Sequence, residues 1–436
     1  MSFSPALIAY RLATKVLEPM APRMLDARVR KGKEHPARVD ERLGMASCPR
    51  PSGPLVWIHG VSVGEALSIL PLAERIRKDR PDVTVLVTTG TLTSAEVLAP
   101  RLAEGVIHQF APVDTPSAVR LFLDHWKPDL GIFVESELWP NLISAARERR
   151  IPLALVSARI TTRTFEGWQK APSMARRLMA AFAHVWPQDQ EGKDRLIALG
   201  ARVDGMVNLK LSGEPLPYDR AEFSRLSGLI GDRPVIVIAS THENEERALT
   251  KALKALAPRL LMIVVPRHPE RANGIVEELE LDGWKLTRRS VGGDIEDGIQ
   301  IYLADTLGEL GLFMRLADVV VLGGSFAPAL SGGSVGGHNP LEPARLGKPT
   351  FSGPDAANWQ QVNRILKQSG GLVSVLAPDG LRDLILPLLD NPDTARNMGE
   401  RARKAANEAS AGLDRLWATL QTHLPPAPKP ERRRPR

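Results

Sequence analysis

Acidic side chains stand where apolar runs of this chain give way to helix-like patterns. Glu65 lies in "HGVSVGEAL" (59–67), directly after the apolar run 54–60. A carboxylate in a first helical turn is favoured as an anion by the positive end of the helix dipole. Within hydrogen-bond reach of an alcohol, it takes the alcohol's proton as the oxygen attacks. Read alone, the same residue is a helix cap. "ESELWPN" (135–141) sets Glu135 and Glu137 two positions apart, which puts both on one face of an extended segment. Two carboxylates so close need a cation or a proton. Lys210 of "NLK" (208–210), Arg159 and Arg163 are the candidate cations, and a buried Glu–Arg strut is the alternative role for one of the acids.

The second half offers different chemistry. In "PRHPER" (266–271), after an apolar run, Arg267 can take a phosphate bidentately. "DTLGELG" (305–311) reads as a turn into a helix, whose free N–H groups receive phosphate oxygens. In "GGHNPLEPARLGKP" (336–349), Asn339-Pro340 opens a helix carrying Glu342 in its first turn. An acid there is placed to accept ribose hydroxyls, as acids in dinucleotide folds do. In that order, at successive strand ends, the three stretches form a nucleotide-phosphate signature.

Positioning these residues requires strands that end at one edge. Apolar runs at 54–60, 83–90, 106–112, 129–136, 152–158 and 184–189 alternate with amphipathic segments. After "GEPLPYD" (213–219) the pattern restarts at 234–241, 260–267, 299–305, 318–325, 349–354 and 371–375. Near-continuous apolar strands separated by helices predict parallel sheets covered on both faces. The fold class is therefore α/β, with two Rossmann-like domains and ligands beyond the strand ends, in a cleft between them. The expected divisions are an N-terminal segment 1–45, a domain 46–212, a linker 213–219, a domain 220–424 and a disordered basic tail 425–436.

Composition narrows the classes. Charged residues at 25 % and apolar residues at 43 % suit a globular protein. One cysteine, Cys48, excludes a disulfide framework, and no histidine spacing predicts a metal, so no metal or cofactor is expected. Of the +7 net charge, residues 1–50 hold ten Arg/Lys against five Asp/Glu, and "KPERRRPR" holds five against one. Basic ends on a near-neutral body point to an anionic membrane surface and not to a nucleic acid. In "MSFSPALIAYRLATKVL" the ten residues before Arg11 fall far short of the ~20 that span a bilayer. An amphipathic helix results, suited to a membrane interface or to packing on the protein itself.

The motifs "VSVGEA", "ESELWPN", "SARI", "NLK", "ASTHENEE", "PRHPER", "DTLGELG" and "GGHNPLEPARLGKP" occur in an order that resembles the bacterial 3-deoxy-D-manno-octulosonic acid (Kdo) transferases of glycosyltransferase family 30. The likeness runs from about Arg42 to about residue 405. It implies a GT-B fold and inverting, metal-independent transfer of Kdo from CMP-Kdo to the lipid A precursor lipid IVA, at the cytoplasmic face of the inner membrane. On matching positions it implies Glu65 as general base, with Glu135 or Glu137 and Lys210 assisting the transition state. It implies CMP contacts from Pro266, Arg267, Gly308, Glu309, Leu310, Asn339, Pro340, Leu341 and Glu342. Arg159, His268, Ser325 and His338 are further candidates. The chain departs from the family pattern in its longer loop "FAPALSGGSV" (326–335). Two other readings are open: another nucleotide-sugar enzyme of the same fold, such as a 2-epimerase or N-acetylglucosamine transferase, and a non-catalytic nucleotide-binding peripheral membrane protein.

Overall fold

A computed structural model describes residues 4–213, 215–326, 330 and 333–427. Most of the basic tail and five residues of the 326–335 loop therefore lie outside the described residues. The chain divides into two compact units, Met1–Gly213 with Ala409–Arg436, and Glu214–Glu408.

In the first unit six strands form one parallel sheet: β1 (Leu55–His59), β2 (Thr84–Thr89), β3 (Val106–Phe110), β4 (Leu130–Val134), β5 (Leu153–Ala158) and β6 (His184–Pro187), in the order β3-β2-β1-β4-β5-β6. Leu55–His59 and Leu130–Val134 are buried throughout, because helices cover both faces of the sheet. In helix Val63–Asp79 the buried residues Ala66, Ile69, Leu72, Ala73 and Ile76 recur at helical spacing. The strand order reverses between β1 and β4, so the loops after these two strands lie side by side. Those loops carry Glu65 and the Glu135–Glu137 pair.

The expected boundary at residue 424 is corrected. Helix Pro392–Leu420 carries its chain back to the first unit. There Leu413, Leu416, Trp417, Leu420 and Leu424 share one apolar cluster with Val56, Ile58, Ile69 and Leu209. Trp417 Nε1 also donates to Asp79 at 3.1 Å. Each large apolar side chain buried this way contributes about 1.5–3 kcal/mol, which decides the attachment.

The second unit holds β7 (Val235–Thr241), β8 (Leu261–Pro266), β9 (Leu286–Arg288), β10 (Ile301–Leu303), β11 (Val319–Leu322), β12 (Thr350–Ser352) and β13 (Leu372–Ser374). All pairings are parallel, in the order β13-β12-β11-β7-β8-β10-β9. The three-residue edge strand β9 has no apolar run to announce it and was not expected. Here the order reverses between β7 and β11.

The N-terminal segment is helical at Pro5–Leu17 and Ala21–Arg30. Leu7 is buried, the Tyr10 hydroxyl donates to Asp114 at 3.0 Å, and Arg11 pairs with Glu148 at 2.9 Å. One face thus packs on the first unit. Ile8, Leu12, Val16, Met20 and Met24, four apart throughout, remain exposed. No helix among the described residues is long and apolar enough to cross a membrane.

Candidate active site

Glu65 sits in the first turn of its helix, almost fully buried, and its carboxylate is engaged locally. The Val61 N–H donates to Oε2 at 2.6 Å and the Ser62 hydroxyl to Oε1 at 2.8 Å, while Ser62 Oγ accepts the Glu65 N–H at 3.3 Å. This is a variant of the capping box, in which the carboxylate takes the N–H one residue before the N-cap Ser62 and the N-cap hydroxyl itself. In these contacts Glu65 caps its own helix. A carboxylate has about four acceptor sites, so two hydrogen bonds leave capacity for an incoming hydroxyl.

Glu135 occupies a left-handed conformation (φ 58°) at the end of β4, a backbone state costing an ordinary residue about 1–2 kcal/mol. Its buried carboxylate meets Lys210 Nζ at 2.6 Å. Ser157, also left-handed (φ 52°) at a register shift between β5 and β6, accepts the Leu209 N–H at 3.3 Å and so holds the turn that presents Lys210. Of the three candidate cations, Lys210 is the one paired with Glu135. Arg159 is exposed and offers its backbone N–H to Glu135 O at 3.4 Å, and Arg163 is exposed.

Glu137 is half-buried and accepts the Trp139 Nε1 hydrogen at 2.6 Å. Burial, then the negative charges of Glu65 and Glu135, push its carboxyl up to about 7, partly opposed by the Trp139 bond. Glu65 and Glu135 therefore act on Glu137, and Lys210 pairs with Glu135, at the reversal of the first sheet. One of the acids is poised to gain or lose a proton near neutrality.

The second unit gathers its polar groups at its own reversal point. Pro266 is buried at the end of β8, while Arg267 and His268 after it are exposed. The Arg267 guanidinium acts electrostatically on His242, His338 and Glu342, which identifies these four as neighbours. Burial pushes the Glu342 carboxyl up, against the opposing pull of Asn339, Arg345 and Arg267. Asn339 Oδ1 accepts the Leu341 N–H at 3.1 Å and its amide reaches Glu342 at 3.4 Å, which fixes the turn entering helix Leu341–Arg345. Pro340 and Leu341 are buried, so they shape the turn and have no exposed side chain for a ligand.

Two of the expected site residues are engaged within the protein. Glu309 was expected among nucleotide contacts, but its carboxylate is taken by Arg289 at 2.6 Å and by the Thr306 hydroxyl. Beside it lie Gly308, left-handed at φ 83°, and the start of the helix from Leu310. Ser325 is buried, donating to Leu322 O at 2.6 Å and accepting the Gly353 N–H at 2.7 Å. It is a latch between loops, because its hydroxyl donates to one and accepts from the other.

His242 was not among the expected site residues, although it stands in "ASTHENEE", directly after an apolar strand. Glu245 in the same stretch is fully buried, and its carboxylate gathers three backbone N–H groups, from Gly324 at 2.6 Å, Phe326 at 2.9 Å and His242 at 2.9 Å. That pin fixes the loops after β7 and β11 together. The signal was present as an acid three residues beyond a histidine at a strand end, but the spacing by itself also describes an ordinary cap.

Among the described residues, no group of three His, Cys, Asp or Glu side chains is arranged to hold a metal ion. Residues 37–212 match the family model described as 3-deoxy-D-manno-octulosonic-acid transferase (kdotransferase). A 3-deoxy-D-manno-octulosonic acid transferase of Rickettsia bellii is 32 % identical over 400 residues, covering 90 % of this chain and 94 % of that protein. The corresponding protein of Haemophilus influenzae is 30 % identical, covering 90 % and 93 %. The crystal structure of a UDP-GlcNAc 2-epimerase from Neisseria meningitidis bound to UDP-GlcNAc is 14 % identical, with a TM-score of 0.52 over 85 % of this chain and 100 % of that one. It shares the two-sheet GT-B fold and says nothing of substrate. With relatives this similar over nearly its whole length, the chain belongs to the 3-deoxy-D-manno-octulosonic acid transferases, a family of glycosyltransferases.

Proposed function

We propose that this Kdo transferase takes Kdo from CMP-Kdo and attaches it to lipid IVA, with inversion and without a metal ion. The observation that carries the donor assignment is the clustering of the His242, His338 and His268 rings, the latter two with centroids 5.1 and 5.6 Å from His242, where the Arg267 charge acts on His242, on His338 and on Glu342 of the Asn339–Glu342 turn. Cationic and imidazole groups suit one phosphate, and the acid at position 342 suits ribose hydroxyls. The acceptor hydroxyl has a pKa far above neutrality, so its proton leaves as the new bond forms. Glu65 is the proposed base. Lys210, held by Glu135, offsets the carboxylate of the sugar.

One observation favours a second assignment of the base. Glu137 is the more accessible acid, and its carboxyl at about 7 lies near the ideal for proton transfer at neutral pH. Replacing each acid by its amide separates the two assignments.

The exposed row Ile8, Leu12, Val16, Met20 and Met24, with Lys15 and Arg23 close by in sequence, supports attachment to an anionic membrane surface. An acceptor with acyl chains would be met there, at the cytoplasmic face of the inner membrane. The test is purified enzyme with CMP-Kdo and tetraacylated lipid IVA, the product being weighed by mass spectrometry. A mass gain of one or more Kdo units, unaffected by a chelator, is expected. Transfer only from uridine sugars, or only with added divalent metal, would overturn the proposal.

A further inference from the structure

Two half-buried imidazoles of the second unit, counted above only as polar groups near the Asn339–Glu342 turn, are paired with each other. The His242 and His338 rings lie nearly parallel, with 13° between planes and centroids 5.1 Å apart. Their Nε2 atoms are 3.0 Å apart. At that separation one nitrogen donates its hydrogen and the other accepts it. Two imidazolium rings would set two N–H groups against each other. The pair therefore accommodates one added proton, on the outer nitrogen of the donating ring, and not two.

The pairing is built into the fold. His338 follows Gly336 and Gly337, both left-handed (φ 84° and 72°). A Cβ at Gly324 (φ 65°) would lie 2.7 Å from His338 Cδ2 and 2.8 Å from its Nε2, so only glycine leaves room for the ring. The His242 N–H is held by the Glu245 carboxylate. Facing the pair are Arg267, Arg271 and His268, whose ring lies edge-on to His242 at 5.6 Å. The nearby acids are already engaged: Glu245 by three backbone N–H groups, Glu246 by Arg271 at 3.0 Å, and Glu342 by Asn339. Burial and these positive neighbours hold both imidazoles below their usual range, His338 at about 4, so the pair is neutral at pH 7.

We propose that the His242–His338 pair is a proton-linked anion subsite: when the phosphate of CMP settles beside Arg267, the pair takes one proton from solvent and hydrogen-bonds the phosphate as an imidazolium. This rests on the CMP reading given above. An anion within ~4–6 Å raises such a group by roughly 1–3 pH units, which carries a depressed imidazole toward neutrality and reaches it at the upper end of that range. During transfer the bond between the sugar's anomeric carbon and the phosphate oxygen breaks, and its electron pair stays on that oxygen. The acceptor oxygen bonds to the carbon, and its proton passes to the carboxylate base. The imidazolium keeps its proton and offsets the second negative charge that the departing phosphate acquires.

Titration calorimetry of the full chain with CMP, in two buffers of different ionisation enthalpy at pH 7, counts the protons taken up. The wild type should show net uptake and a severalfold gain in CMP affinity from pH 7.5 to pH 6.5. His242→Gln and His338→Gln should each lose most of both. The phosphate of CMP also titrates (pKa ≈ 6), but its contribution is common to all three proteins and drops out of the comparison. If a substitution loosens the loops, nitrogen-15 imidazole shifts of the wild type with and without CMP answer the same question. The proposal requires one of the two rings to move toward the imidazolium shift. Binding with equal proton uptake in all three proteins, or no change in either ring, would overturn this inference alone. No CMP binding by the wild type would overturn the functional reading as well.

Discussion

Replacing Glu65 in two ways separates its capping contacts from a part in proton transfer. Glu65→Ala removes an acceptor that holds the Val61 N–H at 2.6 Å and the Ser62 hydroxyl at 2.8 Å. A lost cap costs about 0.5–2 kcal/mol, and the stranded N–H adds toward the upper end, so a loss of about 1–3 kcal/mol is expected in urea unfolding. Glu65→Gln keeps an acceptor oxygen for Val61 and presents an NH2 that Ser62 Oγ can accept. It should cost about 1 kcal/mol or less. An amide is nonetheless unable to take a proton at neutral pH, so transfer should fall at least ~10²-fold in both variants, about 2.7 kcal/mol of barrier. CMP affinity, measured by calorimetry, should be unchanged. The decisive protein is the Gln variant, where activity falls far beyond stability. If it transfers Kdo within about threefold of wild type while the Ala variant is merely less stable, capping its helix is the whole role of Glu65.

In that event Glu137 becomes the base, and other outcomes bear on it. A base with its carboxyl near 7 makes transfer rise with pH through about 6–8, and Glu137→Gln should abolish both the rise and most of the rate. Because the folded carboxyl lies above its unfolded value, the native state binds more protons between about 4.5 and 7, and stability falls as pH rises through that window. Glu137→Gln should flatten this dependence and leave the protein about 1–3 kcal/mol more stable at pH 8, read from urea unfolding at several pH values. Lys210→Met strands the buried Glu135 carboxylate. Since Lys210 is partly exposed and screened, a loss of about 1–2 kcal/mol is expected, and adding Glu135→Gln should recover much of it. For the N-terminal helix, Leu12→Glu with Val16→Glu should weaken sedimentation with anionic vesicles. Unfolding should be unchanged, because both side chains are exposed.

Much of this protein was legible from local pattern. Twelve of its strands announced themselves as apolar runs, because a parallel strand buried on both faces must be apolar along its length, while β9 at the sheet edge had no such requirement. The acids at 65, 135 and 137 and the stretches at 266–271 and 336–349 were visible as polar groups at strand ends. What only the tertiary structure decided was which groups meet. The return of Leu413 to Leu420 to the first unit depends on an apolar surface hundreds of residues earlier in the chain. The choice of Lys210 over Arg159 for Glu135 depends on left-handed backbone at Glu135 and Ser157, which no composition rule foretells. Glu309 and Ser325 had the right types at suggestive positions, and the fold engages them with local partners, Thr306 and Leu322, and with more distant ones, Arg289 and Gly353. His242 and His338 lie on loops 96 residues apart. Spacing along a chain determines which elements form, because helix and strand periods are local. The pairing of charges and imidazoles is set by the order in which the sheet assembles those elements.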